Sequence, residues 1–206
     1  MSGAGSGSWI QERQPPNLGE VREALSCVVG DTDRAGNIID RIRDNIKKAS
    51  PRKCSFDLNK AIDEVIGLAR SAIITNGVSV RTRLAEGLLP IQGDRVQLQQ
   101  VVLNLILNAV EAMSTVEAEP RGLLISTEQI RTGGILVSVR DSGPGIDADH
   151  LDRVFEAFYT TKSSGVGMGL SICQSIIDAH GGRLWAEANE PRGASFRFTI
   201  PGAENS

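Results

Sequence analysis

Residues 99–113 read Q-Q-V-V-L-N-L-I-L-N-A-V-E-A-M. At about 100° per residue, Gln97, Gln100, Asn104, Asn108 and Glu111 fall in one narrow stripe, while Val101, Val102, Leu105, Ile106, Ala109, Val110 and Met113 cover most of the remaining circumference. An apolar surface that wide belongs to a helix buried nearly all round, so the helix from about Asp94 to Val116 is expected at the centre of a core. Amides on such a helix need hydrogen-bond partners. An Asn carbonyl oxygen is also a neutral ligand suited to Mg²⁺, an ion that keeps several waters and binds substrate phosphates. The stripe reads in two ways: as the wall of a ligand cavity, or as a solvated groove whose amides bond neighbouring backbone.

Outward from this helix, elements of both kinds follow. Upstream, Asp57 is placed to N-cap a helical stretch running to about Thr75, and short alternating runs at 78–84 and 89–92 suggest strands. Downstream, strands at roughly 122–130 and 134–141 are joined across Thr132-Gly133-Gly134, and a helix begins near Gly169. Residues 183–201 read as two strands joined by a turn containing Pro191 and Gly193. Strands mostly joined as hairpins and interleaved with helices predict an α/β fold: a two-layer sandwich with helices on one face of a mixed sheet.

Composition narrows the function classes. With 206 residues, 40% hydrophobic and 23% charged, the chain has room for one full domain and an extension. A net charge of −3 lacks the broad positive field of a nucleic-acid binder. No apolar run approaches the roughly 20 residues needed to cross a bilayer, so no membrane contact is expected of this fragment. Cys27, Cys54 and Cys173 form no C-x-x-C pair, and with only His150 and His180 beside them neither a disulfide framework nor a zinc cluster assembles. A cytoplasmic location fits that cysteine usage. The opening M-S-G-A-G-S-G-S (1–8) has the composition of an expression linker.

Two further segments carry chemistry. In I-L-V-S-V-R-D-S-G-P-G-I (135–146) a strand runs into Asp141 and a turn holding Gly143 and Gly145. A carboxylate fixed there can accept the exocyclic amino proton of adenine, and glycines let a flat base approach the backbone; the same residues also serve an ordinary turn. In V-F-E-A-F-Y-T-T-K-S-S-G-V-G-M-G-L-S-I-C (154–173), Gly165, Gly167 and Gly169 precede a helix whose first amides can cradle an anion. Phe155 and Phe158 are expected to anchor the base of a flexible segment, with Lys162 offering its charge to terminal phosphates; a core aromatic pair beside a mobile loop is the alternative. The spacing is neither G-x-G-x-x-G after a strand nor G-x-x-x-x-G-K-[ST], which excludes the Rossmann and P-loop classes.

Taken in order, the paired Asn, D-x-G-x-G, F-x-x-F-Y-T-T-K and G-x-G-x-G-L resemble the N, G1, F and G2 boxes of the ATP-binding catalytic domain of two-component sensor histidine kinases, over about residues 57–201. Their wording is most similar to the nitrogen-regulation and oxygen-sensing branch. The resemblance implies a Bergerat-type α/β sandwich, spanning residues 54–201, that binds ATP and Mg²⁺ under a short lid around Thr160 to Ser164. Carried over by position, Asn108 holds the metal, Asn104 supports the phosphate and water network, and Asp141 reads adenine. Gly143, Gly145 and Ile146 shape the base pocket, and Gly165, Gly167, Met168, Gly169 and Leu170 line the phosphates. Thr160, Thr161, Lys162 and Thr199 complete the nucleotide contacts, with Asn104, Asn108 and Lys162 as the catalytic set. Glu111 stands where many members carry Lys or Arg.

The remaining segment fits the same family. From Leu18 to Ile46 the residues Leu18, Val21, Leu25, Val28, Thr32, Ala35, Ile39, Ile42 and Ile46 step by three and four, a heptad seam stopped by Pro51. A lone helix of this kind must pair, either in a self-associated bundle or on its own globular domain. By resemblance, 17–50 is the second helix of the dimerisation and phosphotransfer hairpin, giving a homodimer, with the phosphoacceptor His on a preceding helix. The activity implied is transfer of the ATP γ-phosphoryl group to that His and on to an Asp of a response-regulator receiver domain. The alternatives on the same fold are an ATP-hydrolysing clamp and a non-catalytic, partner-sequestering module. Hydrolysing relatives carry Glu at the position of Asn104; an amide is a poor general base.

Overall fold

The computed structural model describes residues 54–116, 120–131, 133–160 and 166–202. The 1–8 segment and the 17–50 helix therefore lie outside the described residues.

Two short strands, β1 (Cys54–Phe56) and β3 (Ile91–Gly93), pair antiparallel with Phe56 opposite Ile91 and Cys54 opposite Gly93. Each leads into an aspartate-capped helix. Asp57 accepts from the Lys60 amide at the start of α1 (Leu58–Leu68), and Asp94 accepts from the Val96 and Gln97 amides at the start of α3 (Arg95–Ser114). These are side-chain caps of the kind that supply partners for first-turn N–H groups. The helix expected through Thr75 breaks at Ala69 into α1 and α2 (Arg70–Thr75). Gly67, with its low helix propensity, lies just before the break.

The main sheet has five strands in the order β2 (Ser79–Leu84), β4 (Gly122–Gln129), β5 (Ile135–Asp141), β7 (Ala194–Ile200), β6 (Arg183–Ala188). Only β2 and β4 are parallel, linked through β3 and α3; the other pairs are antiparallel. Leu123 and Ile125 of β4, Val137 and Val139 of β5, and Phe196 and Phe198 of β7 project to one face, where α3 packs on β5 and α4 (Gly169–Ala179) packs on β6 and β7. This is the expected two-layer sandwich. On α3, Leu98, Val101, Val102, Leu105, Ile106, Ala109, Val110 and Met113 are buried and the polar stripe is half-buried from Gln97 to Asn108, while Val96 and Leu107, outside the stripe, are exposed, so the helix is not buried all round as expected. No described helix is long and apolar enough to cross a membrane.

His180 ties two helix ends together. Its Nε2 accepts from the Asp94 amide at 2.9 Å and its Nδ1 bonds the Ile176 carbonyl at 2.8 Å. A carbonyl cannot donate and the amide can, so the ring is neutral with its proton on Nδ1. The C-terminus of α4 is thereby fixed against the N-terminus of α3.

Candidate functional site

Asp141, the last residue of β5, is only 4% exposed. Its Oδ1 accepts from the amides of Gly143 at 2.8 Å and Ala194 at 3.2 Å. Both donors converge on one oxygen, which leaves Oδ2 as the acceptor for a ligand donor. Burial pushes the carboxyl above its ordinary range, opposed by the two amide hydrogen bonds. The backbone around it is equally fixed. The Asp141 carbonyl accepts from Asn189 Nδ2 at 3.0 Å, and Gly193, at φ +105°, lies so close that a Cβ there would collide with that carbonyl. Ser142 ties the turn to β4, its amide donating to the Gly122 carbonyl and its Oγ accepting from the Gly122 amide.

The glycines of this turn are used for proximity. A Cβ on Gly143 would meet Asp141 Oδ1 at 2.9 Å and Ala112 of α3 at 3.5 Å, so the turn rests on the C-terminal half of α3. Gly145, at φ +92°, lies against Gly193. Ile146 is half-buried on the core.

At the other flank of the stripe, Asn104 Nδ2 donates to Cys173 Sγ at 3.7 Å, joining α3 to α4. Gly167, at φ +70°, sits where a Cβ would be 2.5 Å from the Phe158 carbonyl carbon, and its carbonyl accepts from the Phe158 amide at 3.0 Å. Met168 then begins α4 with no side-chain cap, whereas α1 and α3 are each capped by Asp. Space beside Gly169 is open. Leu170 packs on the core. The amides of this first turn are thus left for an anion.

Two expectations change. Phe155 does anchor, edge-on to Phe196 with ring centroids 6.4 Å apart, but Phe158 does not: its backbone is left-handed at φ +67° and its side chain is 71% exposed. Thr199 is turned away from the helix layer, because alternation along β7 sends Phe196, Phe198 and Ile200 inward and Thr199 to the opposite sheet face, where its Oγ1 accepts from the Arg183 amide. The β7 residue that reaches Asp141 is Ala194. Thr160 is exposed, and Thr161, Lys162 and Gly165 lie outside the described residues. Among the described residues no three His, Cys, Asp or Glu side chains gather to hold a metal; Mg²⁺ here would take the Asn108 amide oxygen together with phosphate and water oxygens.

A buried carboxylate at a strand end, an amide-bearing stripe and an uncapped helix start, on a five-stranded sheet backed by helices, make up the candidate site. Residues 93–204 match the family model "Histidine kinase-, DNA gyrase B-, and HSP90-like ATPase". The chain belongs to this ATPase family. Within it, the domain is of the sensor histidine kinase type. It is 39% identical over 98% of its length to the sensor histidine kinase TmoS of Ectopseudomonas mendocina, and 39% identical over 98% to the sensor protein FixL of Bradyrhizobium diazoefficiens. It spans 21% of the former and 40% of the latter. Among solved structures, histidine kinase ThkA in complex with the response regulator TrrA superposes with a TM-score of 0.74 at 30% identity, over 94% of this chain and 54% of that one.

Proposed function

We propose that this ATPase-family domain binds ATP with Mg²⁺ and transfers the γ-phosphoryl group to a histidine of its parent kinase, for relay to a response-regulator Asp. The observation that carries the reading is Asp141, held by two amides on Oδ1 with Oδ2 open to the adenine amino group. Asn108 would hold Mg²⁺, which when bound neutralises charge on the phosphates; Asn104 would order water and phosphate oxygens; the first amides of α4, with Gly165 and Lys162, would hold the triphosphate. Phosphoryl transfer needs this positioning more than covalent help from the protein. An amide at Asn104, donating to Cys173 Sγ, supports transfer over water activation.

The acceptor is neither histidine present. His180 uses both ring nitrogens in backbone hydrogen bonds, and His150 Nδ1 is 2.6 Å from Tyr159 Oη. We assign it to a helix preceding residue 17, with the 18–46 seam forming the dimer. The whole parent, incubated with γ-labelled ATP, should carry acid-labile, base-stable label upstream of residue 17, and the 206-residue chain alone none; label on His150 or His180 overturns the assignment. Ile39→Asp should lower the sedimenting mass by burying a charge in the seam; an unchanged mass removes the seam from the dimer.

A further inference from the structure

The face of the sheet turned away from the helices is covered by nothing among the described residues, and its composition is lopsided. Register places Arg81, Leu124, Arg140, Ser195 and Glu187 in one row across the five strands, and Arg83, Ser126, Ser138, Arg197 and Trp185 in the next. With Arg183 and Glu128 in a third row, the face carries five arginines and two carboxylates in a chain whose net charge is −3. One carboxylate is already engaged, since Glu187 pairs with Arg197 at 3.3 Å and accepts from Trp185 Nε1 at 2.8 Å. Among the described residues, the side chains of Arg81 and Arg83 make no hydrogen bond or ion pair, and both residues are exposed.

The relief of this face matters as much as its charge. Arg83, Arg140 and Arg197 line a hollow of about 320 Å³ that also takes in one carboxylate, Glu128, and the apolar Leu124 and Leu136, with Ser126, Ser138 and Ser195, one from each of β4, β5 and β7, between them. Guanidinium groups meet carboxylates in a planar fork, and the serine hydroxyls add donors to the same oxygens. A hollow lined in this way suits side chains that enter it, whereas a level bilayer surface would meet only its rim.

We propose that this outer face is a docking site for a short acidic segment of a partner protein, with carboxylate side chains seated between Arg83, Arg140 and Arg197. Charge complementarity selects the occupant. The area sets its size: four inter-strand spacings by three residue rows is on the order of 300–400 Å², below the roughly 800 Å² per partner of a standard interface. A segment fits where a domain would not be held. Binding is transient and sensitive to salt, because exposed charges are screened within about 8 Å at physiological ionic strength. The face lies across the sheet from Asp141, so occupancy leaves nucleotide affinity unchanged.

The test is an amide NMR titration of the 206-residue chain with a decaglutamate peptide, with decaglutamine, inorganic phosphate, phosphatidylserine vesicles and a DNA oligonucleotide as separate arms. Decaglutamate should shift Arg83, Ser126, Ser138 and Arg197 and leave Asp141 and Gly143 unmoved. Arg81→Glu/Arg83→Glu, a change at two exposed unpartnered side chains, should weaken binding at least about tenfold, with melting temperature and ADP affinity unchanged; Arg81→Lys/Arg83→Lys should keep most of it. Shifts centred on α3 or α4 overturn the proposal, as do equal affinities for wild type and the charge-reversed variant, or absence of binding. Decaglutamine, phosphate, vesicles or DNA matching decaglutamate on the same residues overturns the choice of an acidic polypeptide.

Discussion

At the end of β5 the amides of Gly143 and Ala194 are both committed to Asp141 Oδ1, while at the start of α4 no side chain caps the first turn. Both regions are rich in glycine, yet the glycines differ in use. Gly143 and Gly193 let backbone and carboxylate close on one another until the turn is internally satisfied; Gly167 lets the chain pass Phe158 and deliver amides that remain unspent. On the proposed function, the base end of the site is preformed by the protein and the phosphate end is completed by ligand charge. Substitutions at the first should act on stability and base choice, those at the second on charge-dependent affinity.

The largest effect is expected at Gly193. Its φ of +105° disfavours an L side chain, and a Cβ would strike the Asp141 carbonyl. Gly193→Ala should cost about 3 kcal/mol from strain and overpacking, lowering the melting temperature by roughly 6–12 °C for a domain of this size. A melting curve superimposable on wild type would mean that this close approach is not needed. Next comes Asn108→Ala, which should weaken ATP binding on the order of tenfold with Mg²⁺ present and much less in EDTA; equal losses in both would assign Asn108 to packing.

The smallest effect is on pH dependence. Burial raises the native carboxyl of Asp141 above its unfolded value, so the native state takes up its proton first. Its ionised form works against folding at neutral pH, and that opposition is relieved as pH falls through the raised native value toward the unfolded one. This is the reverse of a carboxylate stabilised by pairing. Asp141→Asn keeps an oxygen for Gly143 and Ala194, so at pH 7 it should be at least as stable as wild type, with the advantage shrinking in acid. Denaturant titrations across that range check the sign; a variant less stable at pH 7 than in acid, relative to wild type, contradicts it.

Much of this was legible before the structure. The 3.6-residue period placed every buried residue expected on α3, and Asp57 caps its helix as its position before an apolar run suggested. Asp141 announced itself as an acid between a strand and two glycines. What could not be read were the groups that make it work. Ala194 and Asn189 lie about 50 residues away in sequence and reach it only because β7 pairs with β5, a non-local event with no local signature. Thr199 came from the family resemblance alone; alternation along β7 from Phe196 sends it to the other face of the sheet. Phe158 looked like a second anchor because aromatic residues usually bury, but a left-handed backbone turns it out. The hydrogen bond from the Asp94 amide to His180 had no sequence signal either, since the two residues lie far apart in the chain and meet only through packing.

The most direct test is a two-by-two calorimetric comparison, wild type and Asp141→Asn, each with adenosine and inosine diphosphate. Inosine presents a carbonyl where adenine presents an amino group, and the Asn amide presents a donor where Oδ2 accepted. Wild type should prefer the adenine nucleotide by about tenfold or more, the worth of a hydrogen bond to a charged group being roughly 1.5–3 kcal/mol, and the variant should lose or reverse that preference while melting no lower. If the variant weakens both nucleotides equally, or neither, Asp141 does not read the base.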